Sequence, residues 1–269
     1  MPSDKIEALL DFIKDIKGPA ARTNVVIMPS LLETFIKEHE GQIIVGKDVA
    51  VITIPDTENI LRIQFFARSP EALKTLHELI PFTKRQIICE IVGRAPKVGS
   101  LAKELEEAGF SYYAKFQRML CKTPQPDLTL DISEVEAACP EDAKEILAIT
   151  RAVFDPLTAR IPSLNSLIMR IEEGEVFVIR RAGQIAGFTS FDSKHKRVAL
   201  LDHVIVRPEY RNQKIAKKIL TYKWLMENES LHYILWINEL CDGPIRYHKK
   251  NGFVCDGIYD YIFTIRKEH

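Results

Sequence analysis

The stretch 206–220, VRPEYRNQKIAKKIL, constrains the fold most, because a strand pattern ends and a helix pattern begins within a few residues. The preceding run, VALLDHVIV at 198–206, is rich in β-branched residues and short enough to be a buried strand. Apolar residues then recur at helical spacing from Ile215 to Met226, which predicts a helix beginning around Asn212. The first turn of a helix leaves backbone N–H groups unpaired at the positive end of its dipole, which suits a pyrophosphate. Basic side chains reinforce this predicted anion site: Arg211, Lys214, Lys217 and Lys218.

Taken as strand, loop and helix, this segment resembles the cofactor-binding motif of the GNAT superfamily of acyl-CoA-dependent N-acyltransferases. The family pattern is Arg or Gln, two residues, Gly, one residue, then Gly or Ala, and it falls on Arg211, Lys214 and Ala216. The family uses glycine at the second of these positions so that backbone can lie close to the pyrophosphate. Lysine stands there in this chain, and its ammonium could add a phosphate contact of its own.

A second resemblance lies downstream, where HYILWIN (232–238), the segment 244–251 and GFVCDGIYDYIFTI follow the family's order of strand, helix, Gly-Phe and closing strands. The two motifs together cover roughly residues 128–269. The resemblance implies an α/β (α+β) fold with a mixed, mostly antiparallel central sheet flanked by helices. It also implies a general acid toward the departing thiolate at the family's tyrosine position, which His248 occupies. Tyr247 and Tyr259 are possible substitutes, and a surface histidine in RYHKKNG is the structural alternative.

The first half of the chain repeats this pattern. Residues 106–120, EEAGFSYYAKFQRML, parallel residues 249–263, KKNGFVCDGIYDYIF, and QIICEIV at 86–92 parallels HYILWIN. We therefore expect two GNAT-like domains in tandem, a degenerate one at 1–125 and an acyl-CoA-binding catalytic one at 126–269. The proline-containing segment CKTPQPD would join them. The alternative is an unrelated α/β domain in the N-terminal half.

The first copy lacks the features of a phosphate site. FFARSP runs directly into EALKTLHELI, with acidic Glu71 where the second copy has its basic loop. A phosphate would be poorly received there. We expect the first copy to cover a sheet edge of the second and to wall part of the substrate cleft.

The resemblance implies a cofactor site in the second copy. The pantetheine arm of acetyl-CoA or another acyl-CoA would lie along the exposed backbone of Val204, Ile205 and Val206. The amide of Val204 or Ile205 would meet the thioester carbonyl, as in an oxyanion hole. Asn238 would hold pantetheine from the opposite strand, or would merely end that strand. The pyrophosphate would lie over six residues: Arg211, Asn212, Gln213, Lys214, Ile215 and Ala216.

Acyl transfer to an amine requires a base, because an amine with a pKa near ~10.4 is almost fully protonated at neutral pH. Asp202 stands where some family members carry their base, and the neighbouring His203 has a side chain suited to proton transfer. Strand alternation predicts that the two side chains point to opposite faces, so that only one reaches the cleft. Position favours Asp202, although a salt-bridged strand carboxylate is equally compatible with the sequence.

The acceptor is expected to bind near residues 140–173, where family members select their substrates. Acidic and basic side chains in this segment could hold an ammonium or an anion: Asp155, Glu172 and Glu173, and Arg151, Arg160 and Arg170. The predicted function is acetyl transfer from acetyl-CoA to a primary amine of a small molecule or amino acid, by direct attack in a ternary complex. The alternative is a non-catalytic acyl-CoA-binding or interaction module with the same fold.

Composition narrows the choice of partners, metal and cellular compartment. Lys plus Arg equals Asp plus Glu, 37 each, and the basic loop lacks interleaved aromatic residues, which argues against a nucleic-acid partner. The five cysteines form no CxxC pair, so we expect free thiols, a reducing compartment and no metal. No apolar run approaches the ~20 residues of a membrane span, and the N-terminus is typical of an amphipathic helix. We expect a cytoplasmic monomer or homodimer with no membrane partner.

Overall fold

The computed structural model describes residues 3–16, 18–57, 59–81, 83–195, 197–226 and 232–265. The chain divides into two compact units, the first made of residues 1–116 with 257–269 and the second of residues 117–256. Each unit has a sheet of antiparallel strands with a parallel neighbour, and helices pack on both faces of that sheet.

The first unit begins with the amphipathic helix that the N-terminal sequence predicts. Its strands follow the order β2-β3-β4-β5, and the short β1 pairs with β4. Its elements, in chain order, are α1 (Ser3–Asp15), β1 (Arg22–Thr23), α2 (Pro29–Glu38), β2 (Gln42–Val45), β3 (Val49–Thr57), β4 (Ile60–Ala67), α3 (Pro70–Leu73), α4 (Leu76–Leu79), β5 (Gln86–Arg94), α5 (Ala95–Glu107) and the start of β6 (Ser111–Cys121).

Alternation along β3 and β4 builds a core on each face of the first sheet. Val51 and Phe65 point toward α5 and its buried Leu105. Ile52 and Phe66, one residue later on each strand, point toward α1 and α2. Because both faces are covered, these strands are apolar at nearly every position, as the run ILRIQFFA shows.

The second unit follows the same plan, with strands in the order β11-β10-β9-β8-β7. Short 3₁₀ turns precede α6 and follow β10, at Pro140–Asp142 and Pro208–Tyr210. Its elements are the end of β6, β7 (Glu136–Ala137), α6 (Ala143–Val153), α7 (Leu164–Glu172), β8 (Val176–Arg181), β9 (Gln184–His195), β10 (Val198–Val206), α8 (Ile215–Met226), β11 (His232–Asn238), α9 (Asp242–Lys250) and the start of β12 (Val254–Ile265).

Two cores flank the second sheet. One contains Ile215 and Ile219 of α8 with Phe253 beyond α9, and the other contains Ile146 of α6 and Ile171 of α7. The helix predicted to begin around Asn212 begins at Ile215. Lys223 of this helix is buried near the Phe177 and Phe191 rings.

The last strand, β12, belongs to both units. Residues up to Asp256 pack in the second unit and residues from Gly257 in the first, and Gly257 has a left-handed φ of +79° at the change. From Ile258↔Arg94 to Ile265↔Ile87, β12 pairs antiparallel with β5. The boundary between the two compact units therefore falls within a strand that the sequence analysis assigned entirely to the second domain. The domain limits 1–125 and 126–269 stay a prediction.

The predicted mixed, mostly antiparallel fold flanked by helices is confirmed, and the repeat is visible in it. In the first unit β4 runs parallel to β5, starting with Ile60↔Gln86, and in the second β10 runs parallel to β11, starting with Val198↔His232. An antiparallel strand pair precedes each parallel step. Of the helices within the described ranges, none has the length and hydropathy needed to cross a membrane.

Candidate active site

Strands β10 and β11 of the second unit diverge. Among the described residues, their parallel ladder runs from Val198↔His232 to Leu200↔Ile234 and ends there. On its other edge β10 stays paired with β9 as far as Val206↔Gly187. The second half of β10 therefore turns one edge of its backbone toward a gap between the strands.

A β-bulge at Asp202 lies where the strands diverge. The register passes from Leu201↔Phe191 to His203↔Ser190, so Asp202 is the extra residue on β10. Leu201 before the bulge packs with the α8 core, and Ile205 after it packs with the α6 and α7 core. The bulge bends the strand, increases its twist and reverses which residues face each core.

The bulge corrects the predicted placement of Asp202 and His203. Oδ2 of Asp202 lies 3.2 Å from Nδ1 of His203, so the prediction that they point to opposite faces is wrong. The same His203 nitrogen lies 3.1 Å from Oγ of Ser190, and Phe154 meets the imidazole edge-on at 5.0 Å between ring centroids. His203 is buried, so the pair forms one polar cluster on the α6–α7 side of the sheet.

Arg170, in the last turn of α7, completes this cluster through a hydrogen-bonded ion pair with Asp202. Burial alone would raise the pKa of Asp202, but its hydrogen bonds and electrostatic interactions with His203 and Arg170 outweigh burial and lower that pKa to about 2. Asp202 is therefore a carboxylate throughout the range in which enzymes work. A carboxylate this stable attracts a cation well and accepts a proton poorly.

The ladder with β9 decides which amides of β10 face the gap. The N–H of Arg207 donates to the carbonyl of Ala186 at 2.9 Å. Because backbone groups alternate between the two edges of a strand, those of Ile205 turn toward β9 and those of Val204 and Val206 turn toward the gap. Of the two amides suggested for the carbonyl contact, this alternation favours Val204.

The loop between β10 and α8 exposes its side chains and holds two residues in the left-handed region. All four residues of 211–214 are exposed, and Asn212 and Lys214 have φ values of +64° and +60°. The carbonyl of Lys214 accepts from Lys218 N–H at 2.9 Å, so Lys214 directly precedes the first helical turn. The backbone thus adopts, with lysine, a conformation that glycine adopts without steric cost.

Gly187 lets the start of α8 approach the end of β10. A Cβ on Gly187 would lie 2.8 Å from Cγ2 of Ile215 and 2.9 Å from the carbonyl oxygen of Ile205. Ile215, the first residue of α8, is fully buried beside it. This contact holds the N-terminus of α8 close to the end of β10, near Ile205 and Val206.

Not all of the predicted positive charge is available at this helix end. Lys217 pairs with Asp127, and Lys218 pairs with Glu134. Within the described parts of the chain, Arg211 and Lys214 have no ion pair. These two side chains are the cations left for a phosphate.

His248, at the predicted general-acid position, is buried in α9. Its ring packs edge-on against Phe253 and Tyr247, at 5.3 and 5.1 Å between centroids. Burial lowers the pKa of His248 to about 4, so the imidazole is neutral near pH 7.

The same helix carries two buried polar atoms that have no hydrogen-bond partner in the described structure, Nδ1 of His248 and the hydroxyl of Tyr247. Burial also raises the pKa of the Tyr247 phenol. Unpartnered buried groups of this kind cost stability and are typical of places that gain a partner when a ligand binds. Tyr259, the other suggested substitute, belongs to the first unit.

Asn238 ends β11 in a turn. Its Oδ1 accepts from Leu240 N–H and its carbonyl oxygen accepts from Cys241 N–H, each at 3.0 Å. The side-chain oxygen is thus already bonded, and the amide NH₂ is the group that it would offer to a ligand.

The charged residues suggested for acceptor binding are mostly dispersed. Arg151, Arg160 and Glu172 are exposed, and Oδ1 of Asp155 accepts from Leu157 N–H within its own loop. Only Arg170 is brought to Asp202. No group of three or more His, Cys, Asp or Glu side chains in the described residues is placed to hold a metal ion.

Two site residues, Ser190 and Gly187, were missed by the sequence analysis. Both lie in the strand segment GQIAGFTSF, which matches no short catalytic motif. An isolated glycine in a strand pattern signals close backbone approach, and Gly187 could have been found that way. Ser190 carried no such signal, because its contact with His203 depends on the bulge.

Residues 172–255 match the family model described as an acetyltransferase (GNAT) domain. This match identifies residues 172–255 as a GNAT domain, and the matched segment contains the divergent strands, the loop and α9. No curated protein matches the chain.

Solved structures extend the likeness to the whole chain. A tandem GNAT protein from the clavulanic acid biosynthesis pathway is 12% identical, with 99% of this chain and 96% of that one covered at a TM-score of 0.56. A GCN5-related N-acetyltransferase from Kribbella flavida is 14% identical, with 89% of this chain and 95% of that one covered at a TM-score of 0.58. A GCN5-related N-acetyltransferase from Sphaerobacter thermophilus is 15% identical, with 88% of this chain and 86% of that one covered at a TM-score of 0.54. Identities this low show the fold alone, and that fold includes the tandem arrangement.

Proposed function

We propose that the second unit is an acyl-CoA-dependent N-acyltransferase, which transfers an acetyl group to a primary amine of a small molecule or amino acid. One observation carries the proposal. β10 leaves β11 at Leu200↔Ile234, and the strand with the resulting unpaired backbone edge is followed, after the loop 207–214, by the N-terminus of α8. An extended ligand with a pyrophosphate at one end fits this combination of strand edge and helix end.

The residues present suit acetyl-CoA in three places. Backbone groups of Val204 and Val206 would pair with the pantetheine arm, and the Asn238 amide would meet it from β11. The loop and first helical turn from Arg211 to Ala216 would receive the pyrophosphate, with Arg211 and Lys214 adding charge. When bound, acetyl-CoA would supply the acetyl thioester that the amine attacks in a ternary complex.

Three groups of the chain would act on the thioester carbonyl or on the acceptor amine. The N–H of Val204, which faces the gap, would stabilise the carbonyl oxygen as it gains charge. The carboxylate of Asp202 would attract the acceptor ammonium. His203, held at Nδ1 by Asp202, would accept the proton at Nε2, since an Asp partner fixes that tautomer.

His248 would act as the acid toward sulfur in a restricted way. Because its ring is neutral near pH 7, it would donate an N–H hydrogen bond to the departing thiolate and would not deliver a proton from an imidazolium. A thiol pKa near ~8.5 makes the thiolate a fair leaving group, so such a bond is sufficient.

The acceptor class follows from the pair at Asp202. An amino acid presents an ammonium that complements Asp202 and a carboxylate that complements Arg170, and the two side chains are already in contact. A small amine of this type would exchange one ion pair for two. This supports an amino acid or similar metabolite as the acceptor, in the cytoplasm.

A non-catalytic acyl-CoA-binding module is the second candidate. It is favoured by the state of the predicted catalytic groups, since Asp202 is engaged by Arg170 and His248 is buried and neutral. Both candidates require the cofactor site and differ in turnover.

Calorimetry with acetyl-CoA tests the site that they share. We expect micromolar binding by the intact protein and its loss when Arg211 and Lys214 are both changed to alanine. Release of free thiol from acetyl-CoA is then followed with a panel of amino acids and small amines. Turnover that falls in Asp202→Asn with unchanged acetyl-CoA binding supports the enzyme, and binding with no turnover on any amine supports the module. Absence of binding, with longer acyl-CoAs also inactive, would refute both.

A further inference from the structure

The first unit has the same divergence of parallel strands as the second. β4 and β5 pair from Ile60↔Gln86 to Ile63↔Cys89. β4 then continues to Ala67 and β5 to Arg94, so each extends beyond the last pair. By the repeat, this gap corresponds to the one proposed to hold pantetheine in the second unit.

In the first unit the chain's own β1 runs along this gap. β1 pairs antiparallel with β4 through Arg22↔Ala67 and Thr23↔Phe66. β3 already occupies the other edge of β4 at the same two residues. β1 therefore lies on the edge that faces β5, where an added ligand strand would lie.

Side chains of this segment extend the pairing to Phe65, the residue of β4 that precedes Phe66. Oγ1 of Thr23 donates to the carbonyl of Phe65 at 2.7 Å, and Oδ1 of Asn24 accepts from Phe65 N–H at 2.8 Å. Both backbone groups of Phe65 are satisfied in this way. An amide side chain here performs the hydrogen bonding that a ligand amide would perform.

Asn24 also joins the two walls of the gap. Its Nδ2 donates to the carbonyl of Ile63 on β4 at 3.0 Å and to the carbonyl of Glu90 on β5 at 2.9 Å, and it lies 3.6 Å from Sγ of Cys89. One side chain thus bonds to both strands just where they separate.

The segment is anchored at its N-terminal end by Arg22. The guanidinium forms a two-pronged ion pair with Glu104 of α5, at 2.6 and 3.0 Å. It also donates to the carbonyls of Pro19, Ala20 and Ala21, at 2.9 to 3.2 Å. These contacts fold residues 19–22 into a compact turn that leads into β1.

Among the described residues that follow β4, the first helical turn does not form an anion site. The helix after β4, α3, has only 4 residues, and Oγ of Ser69 already accepts from Ala72 N–H at its start. Glu71 adds a negative charge to its first turn. A ligand with a pyrophosphate would therefore gain nothing at the end of this gap.

We propose that residues 19–25 are a built-in occupant of the first unit's gap, standing where a pantetheine arm would lie, so that this unit binds no acyl-CoA. The segment satisfies the backbone of the divergent strands from within the chain. Its equivalence to pantetheine rests on the function proposed for the second unit, and the chain should bind no more than one acetyl-CoA.

The test uses the full chain and the exchange rate of the Phe65 amide, followed by hydrogen exchange with NMR detection. Asn24→Ala removes the acceptor of that amide and should speed its exchange about ten-fold, the equivalent of one lost hydrogen bond. Ser69→Ala, which removes a cap beyond the end of the same strand, is the matched control and should leave the Phe65 amide unchanged. Should Asn24→Ala fail to fold, Thr23→Val is measured in the same way; it removes the bond to the Phe65 carbonyl and the acceptor of the Val25 N–H.

Calorimetry supplies the second measurement, the number of acetyl-CoA molecules bound per chain. A value of one that falls to none with Arg211→Ala and Lys214→Ala supports the proposal, as does faster Phe65 exchange in Asn24→Ala. A value of two, or a site that survives the double change, overturns it, and so does a Phe65 amide that Asn24→Ala and Thr23→Val leave unchanged. If no acetyl-CoA binds at all, the function proposed for the second unit fails, while the exchange data still decide whether the segment occupies the gap.

Discussion

Lys214 holds its backbone at a φ of +60°, where a Cβ approaches the following carbonyl oxygen. A non-glycine residue in this region costs on the order of 1 kcal/mol, and the surrounding loop must supply that free energy. The strain lies directly before the first turn of α8, at the proposed pyrophosphate site. A strained lysine at this place suggests that its side chain contributes to binding.

Lys214→Gly, compared with Lys214→Ala, separates the effect of backbone strain from the effect of the side-chain charge. We expect it to raise the free energy of unfolding by roughly 1 kcal/mol, because glycine adopts this φ without strain. Lys214→Ala is the matched control, since it removes the charge and keeps the strain. If the ammonium contacts phosphate, both variants bind acetyl-CoA more weakly by calorimetry. Tighter binding by the glycine variant alone would instead show that close backbone approach decides affinity.

His248 should make stability depend on pH. Its pKa in the folded chain is about 4 against 6.5 for the free side chain, so the unfolded chain binds more protons between these values. The free energy of unfolding therefore falls as the pH is lowered from 7 toward 4, by roughly 2–3 kcal/mol at pH 4.5 from this group.

Urea unfolding at pH 7 and 4.5 measures the difference. His248→Phe keeps the ring contacts with Phe253 and removes the titrating group, so its loss of stability on acidification should be smaller by that amount. His77→Gln, at an exposed position in α4, is the control for removing a histidine from solvent. Equal losses in the native protein and in His248→Phe would show that His248 is not buried as a neutral ring.

At the scale of elements, Gly187 joins β9, the end of β10 and the start of α8. Gly187→Ala would place a Cβ 2.8 Å from Ile215 Cγ2 and 2.9 Å from the Ile205 carbonyl oxygen. Relief of the second contact requires a shift of the backbone, which costs more free energy than a shift of a side chain. We expect the variant to lose about 2 kcal/mol of unfolding free energy, as overpacked sites do.

Displacement of the α8 N-terminus should also weaken acetyl-CoA binding. Loss of one charge-assisted hydrogen bond, worth about 1.5 kcal/mol, corresponds to roughly ten-fold in Kd. Gly243→Ala in α9 is the control, because a Cβ there meets nothing within 4 Å, and its stability should rise slightly. Unchanged Kd in Gly187→Ala would separate the helix end from the cofactor site.

The same elements show what the sequence could predict. β10 and α8 could be predicted from local patterns. VALLDHVIV is a short run rich in β-branched residues, which is typical of a buried strand, and the apolar residues from Ile215 onward recur at helical spacing. The bulge at Asp202 does not follow from them, since it is set by pairing with β9, which lies earlier in the chain. The error over Asp202 and His203 comes from this one inserted residue, which cancels the alternation between neighbours.

At the scale of the whole molecule, the repeat was predictable and the assignment of the last strand was not. Gly-Phe followed by an aromatic strand occurs in both halves, and this local likeness predicted the tandem arrangement. The segment from Val254 to Ile265 has the same strand pattern whichever sheet it joins, so the sequence cannot say that residues after Asp256 pair with β5. The occupied gap in the first unit was equally hidden, because a two-residue β1 followed by one buried amide gives no periodic signal.

The division within β12 makes a prediction about two phenylalanines that lie close in sequence. Phe263 is fully buried in the first unit with Val51 and Leu105, and Phe253 is 1% exposed in the core of the second with Ile215. Phe263→Ala and Phe253→Ala should each cost roughly 3–5 kcal/mol at their own site, as large core truncations do. Because local opening follows packing and not sequence distance, Phe263→Ala should speed amide exchange in β4 and β5, and Phe253→Ala in β10 and α8. Hydrogen exchange with mass detection on both variants measures this, and acceleration of the same peptides by both would show that the two units open as one.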